Sequence, residues 1–243
     1  TMRITINGQL TLMMLYEMIM EAIPNAIPLL QNTDGVETII PREYKDKYME
    51  VCKQWEDITN FNLEHDEYKK LILADVNNYI AINTDDKAKC KGRFEFKNLA
   101  LHKNKSKLVI PKAIYEYFVN GVLPEDYLEI NKNILDYCIG SKTNSGWQVV
   151  ADSLEEGIFK QEDLQKINRY YISETGVKLI KRNKNDGREI QLEAGKWIQT
   201  VFNQIEKQDN WEDYNINKKY YLLAIEKEIN NILDVNNNQL SLF

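Results

Sequence analysis

A strand–turn–strand pattern between two helical patterns constrains the fold of this chain most. Residues 10–23 are apolar on nearly every helical side, which is typical of a buried helix, and a proline follows them. Apolar segments at 26–31 and 36–40 then flank residues 32–35, where Asn, Asp and Gly tolerate the positive φ angles of a tight hairpin. Pro41 occupies the position that proline favours at a helix start. The order helix, hairpin, helix predicts helices packed on one face of a small antiparallel sheet.

The sequence beyond Pro41 predicts one more helix and then more strands. Apolar side chains at spacings of 4, 3, 4 and 3 form a single helical stripe, made of Tyr44, Tyr48, Val51, Trp55 and Ile58. Residues 61–63, 70–76 and 79–82 have the apolar patterns of strands, with a turn between the last two. These strands extend the predicted antiparallel sheet.

The pattern changes near residue 110, where we place a domain boundary. The elements predicted beyond it are helices at 111–120 and 125–139, a strand at 147–150, a hairpin at 170–190 that turns at 185–187, and a helix at 217–233. The predicted fold class is therefore α+β, with a small antiparallel sheet and packed helices in the first part. The second part is predicted to be mostly helical with short hairpins.

The basic residues are concentrated in two segments, although the net charge of the chain is −6. Nine lysines and arginines lie between residues 87 and 112, where Glu95 is the one acid, so this segment carries a charge of +8. A second segment, 178–188, carries +4. Because a phosphate responds to charge within a Debye length, these segments predict a surface that tracks phosphates. A solvated loop is the alternative interpretation.

The composition excludes several classes of protein. No run of about 18 apolar residues occurs, which excludes an ordinary transmembrane helix, and the first residues lack the pattern of a signal peptide. The cysteines, Cys52, Cys90 and Cys138, and the two histidines form no CxxC or HxxxH pair. This excludes a recognisable zinc finger or disulfide framework. We expect a reducing, cytoplasmic compartment, without secretion or a membrane partner.

The hairpin turn at residues 32–35 is the place where the sequence predicts chemistry. Apolar strands on both sides hold its backbone, and Asp34 presents one carboxylate at the tip. Mg²⁺ takes one or two protein carboxylates and fills its other positions with water and phosphate oxygens. The turn therefore suits a magnesium site, with an ordinary Asp-Gly turn as the alternative.

The chain resembles family B DNA polymerases, and phage members in particular. Residues 32–35, Asn-Thr-Asp-Gly, lie where the family has motif C, usually Asp-Thr-Asp-Ser. Residues 75–81, Asp-Val-Asn-Asn-Tyr-Ile-Ala, lie where it has a Lys-Lys-Tyr-type motif beside the primer terminus. Residues 91–94 and 114–121 look like phage members. The resemblance covers the end of the palm and then the thumb, and it is most specific for residues 8–121.

This resemblance implies a polymerase mechanism. In the family, two magnesium ions about 3.5–4 Å apart activate the primer 3′-hydroxyl and hold the triphosphate of the dNTP. The second aspartate of motif C is a metal ligand, so the resemblance assigns metal binding and catalysis to Asp34, whereas Asn32 replaces the first aspartate. Asn77 and Asn78 replace basic residues, although their amides still donate to phosphate or sugar. Tyr79 retains an aromatic ring that could pack against the primer strand.

Motifs A and B of the family, which hold the other metal aspartate and the nucleotide-binding Lys and Tyr, have no counterpart in this sequence. We therefore expect the C-terminal palm (1–110) and thumb (111–243) of a polymerase, either a fragment or a split subunit. Such a chain is inactive alone and needs an N-terminal partner with both motifs, so the two-metal site is shared. The predicted primer–template contacts are Thr33, Asn77, Asn78, Tyr79, Lys91, Arg93, Lys103, Lys105, Lys107, Lys178, Lys181 and Arg182.

Two other functions fit the same sequence. A non-catalytic nucleic-acid-binding module or subunit would keep the basic segments and use Asp34 only as a turn residue. A structural or assembly protein would bind no primer–template at all. Loss of primer extension on replacement of Asp34, with DNA binding retained, distinguishes the polymerase from the module.

Overall fold

The computed structural model describes residues 2–32, 35–100, 103, 106–155, 158–193, 197–201, 208 and 210–240. Contacts between Cα atoms divide the chain into two compact units. Unit 1 comprises residues 1–71, 75–77 and 81–89, and unit 2 comprises residues 72–74, 78–80 and 90–243. The boundary that the sequence predicts near residue 110 therefore lies inside unit 2.

Unit 1 begins with the predicted helix, hairpin and helix. These elements are α1 (Met2–Ala22), β1 (Ile27–Gln31), β2 (Val36–Ile39) and α2 (Lys45–Thr59). Pro41 precedes a 3₁₀ turn, Arg42–Tyr44, that leads into α2. Asn60 ends α2 in a left-handed conformation with φ of 61°. The order of elements predicted from the first sixty residues is confirmed.

The strands β1 and β2 form an antiparallel hairpin. Gln31 pairs with Val36 beside the turn, and Ile27 pairs with Ile39 at the open end. The register shifts between Pro28 and Leu30, as in a β-bulge. A bulge tolerates a proline and bends its strand.

The helices α1 and α2 pack against each other through one apolar face each. Ile19 is fully buried, and Val51, Cys52 and Trp55 are at most 3% exposed. The indole N–H of Trp55 donates to the C=O of Thr11 at 2.8 Å. This packing holds the base of the β1–β2 hairpin.

Two details of these helices differ from the prediction. α1 is buried along one side only, since Leu10 is 59% and Met13 48% exposed on the other side. Ile58 is 67% exposed, whereas Cys52, which the stripe omits, is 1% exposed. The buried arc of α2 is centred between Trp55 and Cys52, which turns Ile58 toward solvent.

A three-stranded sheet follows, formed by β3 (Tyr68–Asp75), β4 (Asn78–Asn83) and β5 (Ala88–Cys90) in that order. β3 and β4 confirm the predicted strands near 70–76 and 79–82. The strand predicted at 61–63 is wrong, because residues 61–67 have no regular structure. The Leu63 N–H donates to the Glu56 carboxylate at 2.8 Å. This side chain takes the place of the backbone acceptor that a neighbouring strand would supply.

Unit 2 contains several short helices before its sheets. α3 (Val109–Tyr115) continues as a π-helical turn, Glu116–Asn120, and ends at Gly121 with φ of 72°. The helix predicted at 125–139 is instead two, α4 (Pro124–Ile130) and α5 (Ile134–Tyr137). The break arises because Asn131 accepts from the Asn133 N–H at 3.0 Å, and Asn133 accepts from the Leu135 N–H at 3.2 Å. Such Asx turns compete with helix.

Two antiparallel sheets form much of the rest of unit 2. Their strands are β6 (Ile139–Lys142), β7 (Trp147–Glu155), β8 (Ile158–Leu164), β9 (Ile167–Ser173), β10 (Lys178–Asn183), β11 (Glu189–Gln191) and β12 (Trp197–Val201). The strand orders are β11-β10-β7-β8 and β12-β9-β6. The turn at 185–187 is confirmed, with Gly187 at φ of 71°, but it joins β10 to β11, and Tyr170 belongs to β9 in the other sheet.

The second part of the chain thus has more strand than the predicted mostly helical thumb. The α+β class itself is confirmed, with 41% helix and 30% strand. The last helix, α6 (Lys218–Leu240), packs on the core of unit 2 through Tyr221, which is fully buried. The Tyr221 hydroxyl accepts from the Ile172 N–H at 2.9 Å and donates to the Tyr137 C=O at 2.8 Å.

Candidate nucleic-acid and metal site

The β1–β2 hairpin presents the turn in which the sequence predicts a metal ligand. Asn32 and Gly35 close this turn, since the Asn32 N–H donates to the Gly35 C=O at 3.0 Å. Thr33 and Asp34, between them, lie outside the described residues. The roles of Thr33 and Asp34 therefore stay predictions. The described residues show only the β1–β2 hairpin to which these two residues belong.

The sequence predicts one carboxylate, that of Asp34, as a magnesium ligand at this turn. Within the described ranges, no three His, Cys, Asp or Glu side chains are grouped as metal ligands. Asp34 supplies a hard oxygen donor of the kind that Mg²⁺ prefers, but two metal ions need more carboxylates than one. The shared two-metal site therefore stays a prediction, in which Asp34 would supply one of the carboxylates.

A charged cluster beside the hairpin was missed by the sequence analysis. Burial raises the pKa of Glu37 on β2, while Lys89 opposes and Asp66 adds to this rise. The Lys89 ammonium lies 3.1 Å from Asp66, and the Tyr68 hydroxyl donates to Asp66 at 2.8 Å. Hydrogen bonds from Tyr68 and Lys89 lower the pKa of Asp66. The sequence signal was Glu37, the one charged residue of β2.

The turn between β3 and β4 brings several predicted contact residues together. Asn77 is exposed and donates its N–H to Asp75 at 2.9 Å. The Asn78 side-chain oxygen accepts from the Arg93 N–H at 2.7 Å, and the Tyr79 C=O accepts from the Lys91 N–H at 2.9 Å. Asn78, Lys91 and Arg93 are therefore neighbours in unit 2.

The prediction that Tyr79 contacts the primer needs a correction. Tyr79 is only 9% exposed, and its neighbour Ile80 is fully buried. The β-branched and aromatic residues of β4 form core, so the ring of Tyr79 does not face a groove. We therefore remove this ring from the predicted DNA surface.

Folding neutralises most of the basic segment 87–112. Six of its nine cations lie in ion pairs within their own unit: Lys87 with Asp85, Lys89 with Asp66, Arg93 with Glu228, Lys103 with Glu95, Lys107 with Glu193, and Lys112 with Asp136. Lys105 lies outside the described residues. The local charge of +8 is therefore not the charge that a DNA molecule would meet.

Two of these lysines have structural roles. The Lys112 ammonium lies 2.7 and 2.8 Å from the two oxygens of Asp136, which is 3% exposed. Lys107 is 2.5 Å from the Tyr220 hydroxyl and lies over its ring, 5.0 Å from the centroid. The partners of Lys107, Tyr220 and Glu193, are partly buried. A lysine that is held in this way gains little from a phosphate, so the prediction of a DNA contact for Lys107 is weakened.

The second basic cluster does not form one surface. Lys178 and Arg182 share one face of β10, and Lys181 lies on the other, because side chains alternate along a strand. Arg182 lies 2.7 Å from Glu189 and donates to Gln161 at 2.7 Å. Lys178 lies over the Trp197 ring at 5.3 Å from its centroid. Lys178 is the exposed cation of this face.

The fold and the contacts above are the structural basis for assigning a function. Within the part of the chain that the structure describes, no helix combines the length and the apolar character needed to cross a bilayer. No protein-family model, no curated protein and no solved structure matches this chain.

Proposed function

We propose that this chain is the C-terminal palm–thumb portion of a DNA-directed DNA polymerase. It would contribute one magnesium-binding aspartate, Asp34, and part of the grip on primer–template DNA. The observation that carries the proposal is the β1–β2 hairpin, whose turn is closed by Asn32 and Gly35 between two packed helices. That is the arrangement expected for a motif C turn.

The chain's own residues would hold the DNA. Hydrogen bonds to the Lys91 and Arg93 N–H groups make Asn78, Lys91 and Arg93 neighbours, and their amide and two cations would donate to phosphate or sugar without reading sequence. When bound, magnesium would lower the barrier to attack by the primer 3′-hydroxyl on a dNTP. The remaining carboxylates and the nucleotide-binding residues would come from the N-terminal part with motifs A and B.

The proposal places the protein in the cytoplasm, which is the host cytoplasm if a phage encodes it. Cys52, Cys90 and Cys138 are free thiols, as expected in a reducing compartment. Burial raises the pKa of Cys90 to about 11, with smaller effects from Lys97 and Glu95. This thiol is therefore protonated and unreactive at neutral pH.

Duplex binding tests the DNA grip. We expect the full chain to bind primer–template with a log–log salt slope of about −2 to −4, because about two to four cations remain available to phosphates. Fluorescence anisotropy of labelled DNA at several salt concentrations measures this slope. Lys91→Gln should reduce its magnitude by about 1, whereas Lys166→Gln, an exposed lysine between β8 and β9 and outside both basic segments, should not. Affinity independent of salt would contradict the grip.

A further inference from the structure

An ion pair in unit 2 occupies one of the predicted DNA contacts. The Arg93 guanidinium lies 3.3 Å from one oxygen of Glu228, with side chains that are 44% and 27% exposed. The Arg93 guanidinium carbon also lies 5.3 Å from the centroid of the Phe94 ring. The cation is thus held at the surface with an acid beside it.

The position of Glu228 is fixed by the packing of α6. The helix buries Tyr221, Ile225, Ile229 and Ile232, each at most 5% exposed. This spacing anchors the turn that carries Glu228. Its oxygen nearest Arg93 is shielded from solvent and makes no hydrogen bond among the described residues, so Arg93 supplies its compensation.

A DNA phosphate and Glu228 would compete for the same guanidinium. Arginine binds phosphate through two parallel N–H groups, a stronger geometry than one contact at 3.3 Å. A partly exposed ion pair is weak enough for a polyanion to displace it. Displacement would leave the shielded oxygen of Glu228 without its cation and close to a second anion, so the acid opposes binding.

We propose that Glu228 is an affinity-setting residue that occupies Arg93 in the absence of DNA and is displaced by a phosphate when DNA binds. The inference rests on the proposed function, because it takes Arg93 as a DNA contact. In this role Glu228, on α6, weakens the binding of DNA and thereby assists release of the duplex.

The test compares two glutamates of unit 2. Glu228→Gln should tighten the binding of the full chain to duplex primer–template by about threefold to tenfold and make the log–log salt slope steeper by about 1. Glu129→Gln removes the same charge but releases Lys218, which pairs with Glu129 at 2.8 Å and is not a predicted contact. Its affinity should stay within about twofold of the unaltered chain. Anisotropy with one labelled duplex measures all variants.

A double replacement separates competition for Arg93 from a general charge effect. Arg93→Gln should weaken binding, and Arg93→Gln with Glu228→Gln should bind no more tightly than Arg93→Gln alone. Equal affinities for Glu228→Gln and Glu129→Gln, in a chain that binds DNA, would overturn the role of Glu228. No binding by the unaltered chain at low salt would instead reject the DNA grip of the proposed function.

Discussion

Replacing Asp34 by alanine should abolish primer extension by the complete enzyme, with a loss of about 10²–10⁴-fold in turnover. A metal ligand stabilises the transition state by several kcal/mol, and each 1.4 kcal/mol is about tenfold in rate. Asn32, Thr33 and Gly35 carry no carboxylate, so no neighbouring residue of the turn compensates. Single-turnover extension of a labelled primer, with the N-terminal part supplied, measures the loss.

The control for this replacement is a second Asp-Gly turn. Asp186 in the β10–β11 turn accepts from the Arg188 N–H at 2.9 Å and is exposed. Asp186→Ala removes the same charge and turn residue, and extension should be unchanged. Asp34→Ala should still bind primer–template, because the change removes a negative charge. Full extension activity of Asp34→Ala would reject the polymerase and leave the non-catalytic nucleic-acid-binding module.

Replacing Asp136 by alanine should destabilise unit 2 by about 3 kcal/mol. Its carboxylate accepts from Lys112 at 2.7 and 2.8 Å and from the Asn131 amide at 3.0 Å, and it is 3% exposed. Removing one partner of a buried ion pair leaves the other without compensation, which costs more than the pair itself contributes. Lys112 retains some access to water, which keeps the loss near the lower end of the usual range.

Urea denaturation followed by tryptophan fluorescence measures this change in the free energy of unfolding. Asp163→Ala, an exposed aspartate on β8, is the matched control and should cost less than about 0.5 kcal/mol. Combined Lys112→Met and Asp136→Leu should be closer to the unaltered chain than Asp136→Ala, because no charge is left unpaired. A loss below about 1 kcal/mol for Asp136→Ala would contradict a structural role of this pair.

The parts of the fold that follow from local chemistry were predictable. α1 ends at Ala22, shortly before the proline that the pattern uses as a stop, and Gly121 ends the helical segment after α3. The hairpin turn at 32–35 lies between β1 and β2 as its turn residues indicate. Proline and glycine act through the backbone of their own segment, so neighbours in space do not alter the result.

The errors arose where local side-chain hydrogen bonds or strands distant in sequence decide the structure. The periodicity of 125–139 fits one helix, but the side chains of Asn131 and Asn133 cap the backbone and divide it. The sheets of unit 2 pair strands that lie far apart in the sequence, as in the pairing of Thr200 with Tyr170. Short apolar segments do not reveal such pairings, which explains the underestimated strand content.

The charge around the predicted DNA contacts was not predictable from the sequence. The list of predicted contacts includes Asn78, Lys91 and Arg93, and hydrogen bonds to the Lys91 and Arg93 N–H groups make these residues neighbours. The local charge of +8 failed as a measure because its counter-charges, such as Glu193 and Glu228, come from residues far along the chain. A count of charges along a sequence includes none of these pairings.

Iron-mediated cleavage tests the central claim most directly. Fe²⁺ takes the place of Mg²⁺ among oxygen ligands, and with ascorbate and peroxide it cleaves the backbone beside its site. In the complete enzyme with primer–template, cleavage of this chain should map to residues 32–35, disappear with excess Mg²⁺ and be absent in Asp34→Ala. Cleavage confined to other residues, or unchanged in Asp34→Ala, would contradict a magnesium site at this turn.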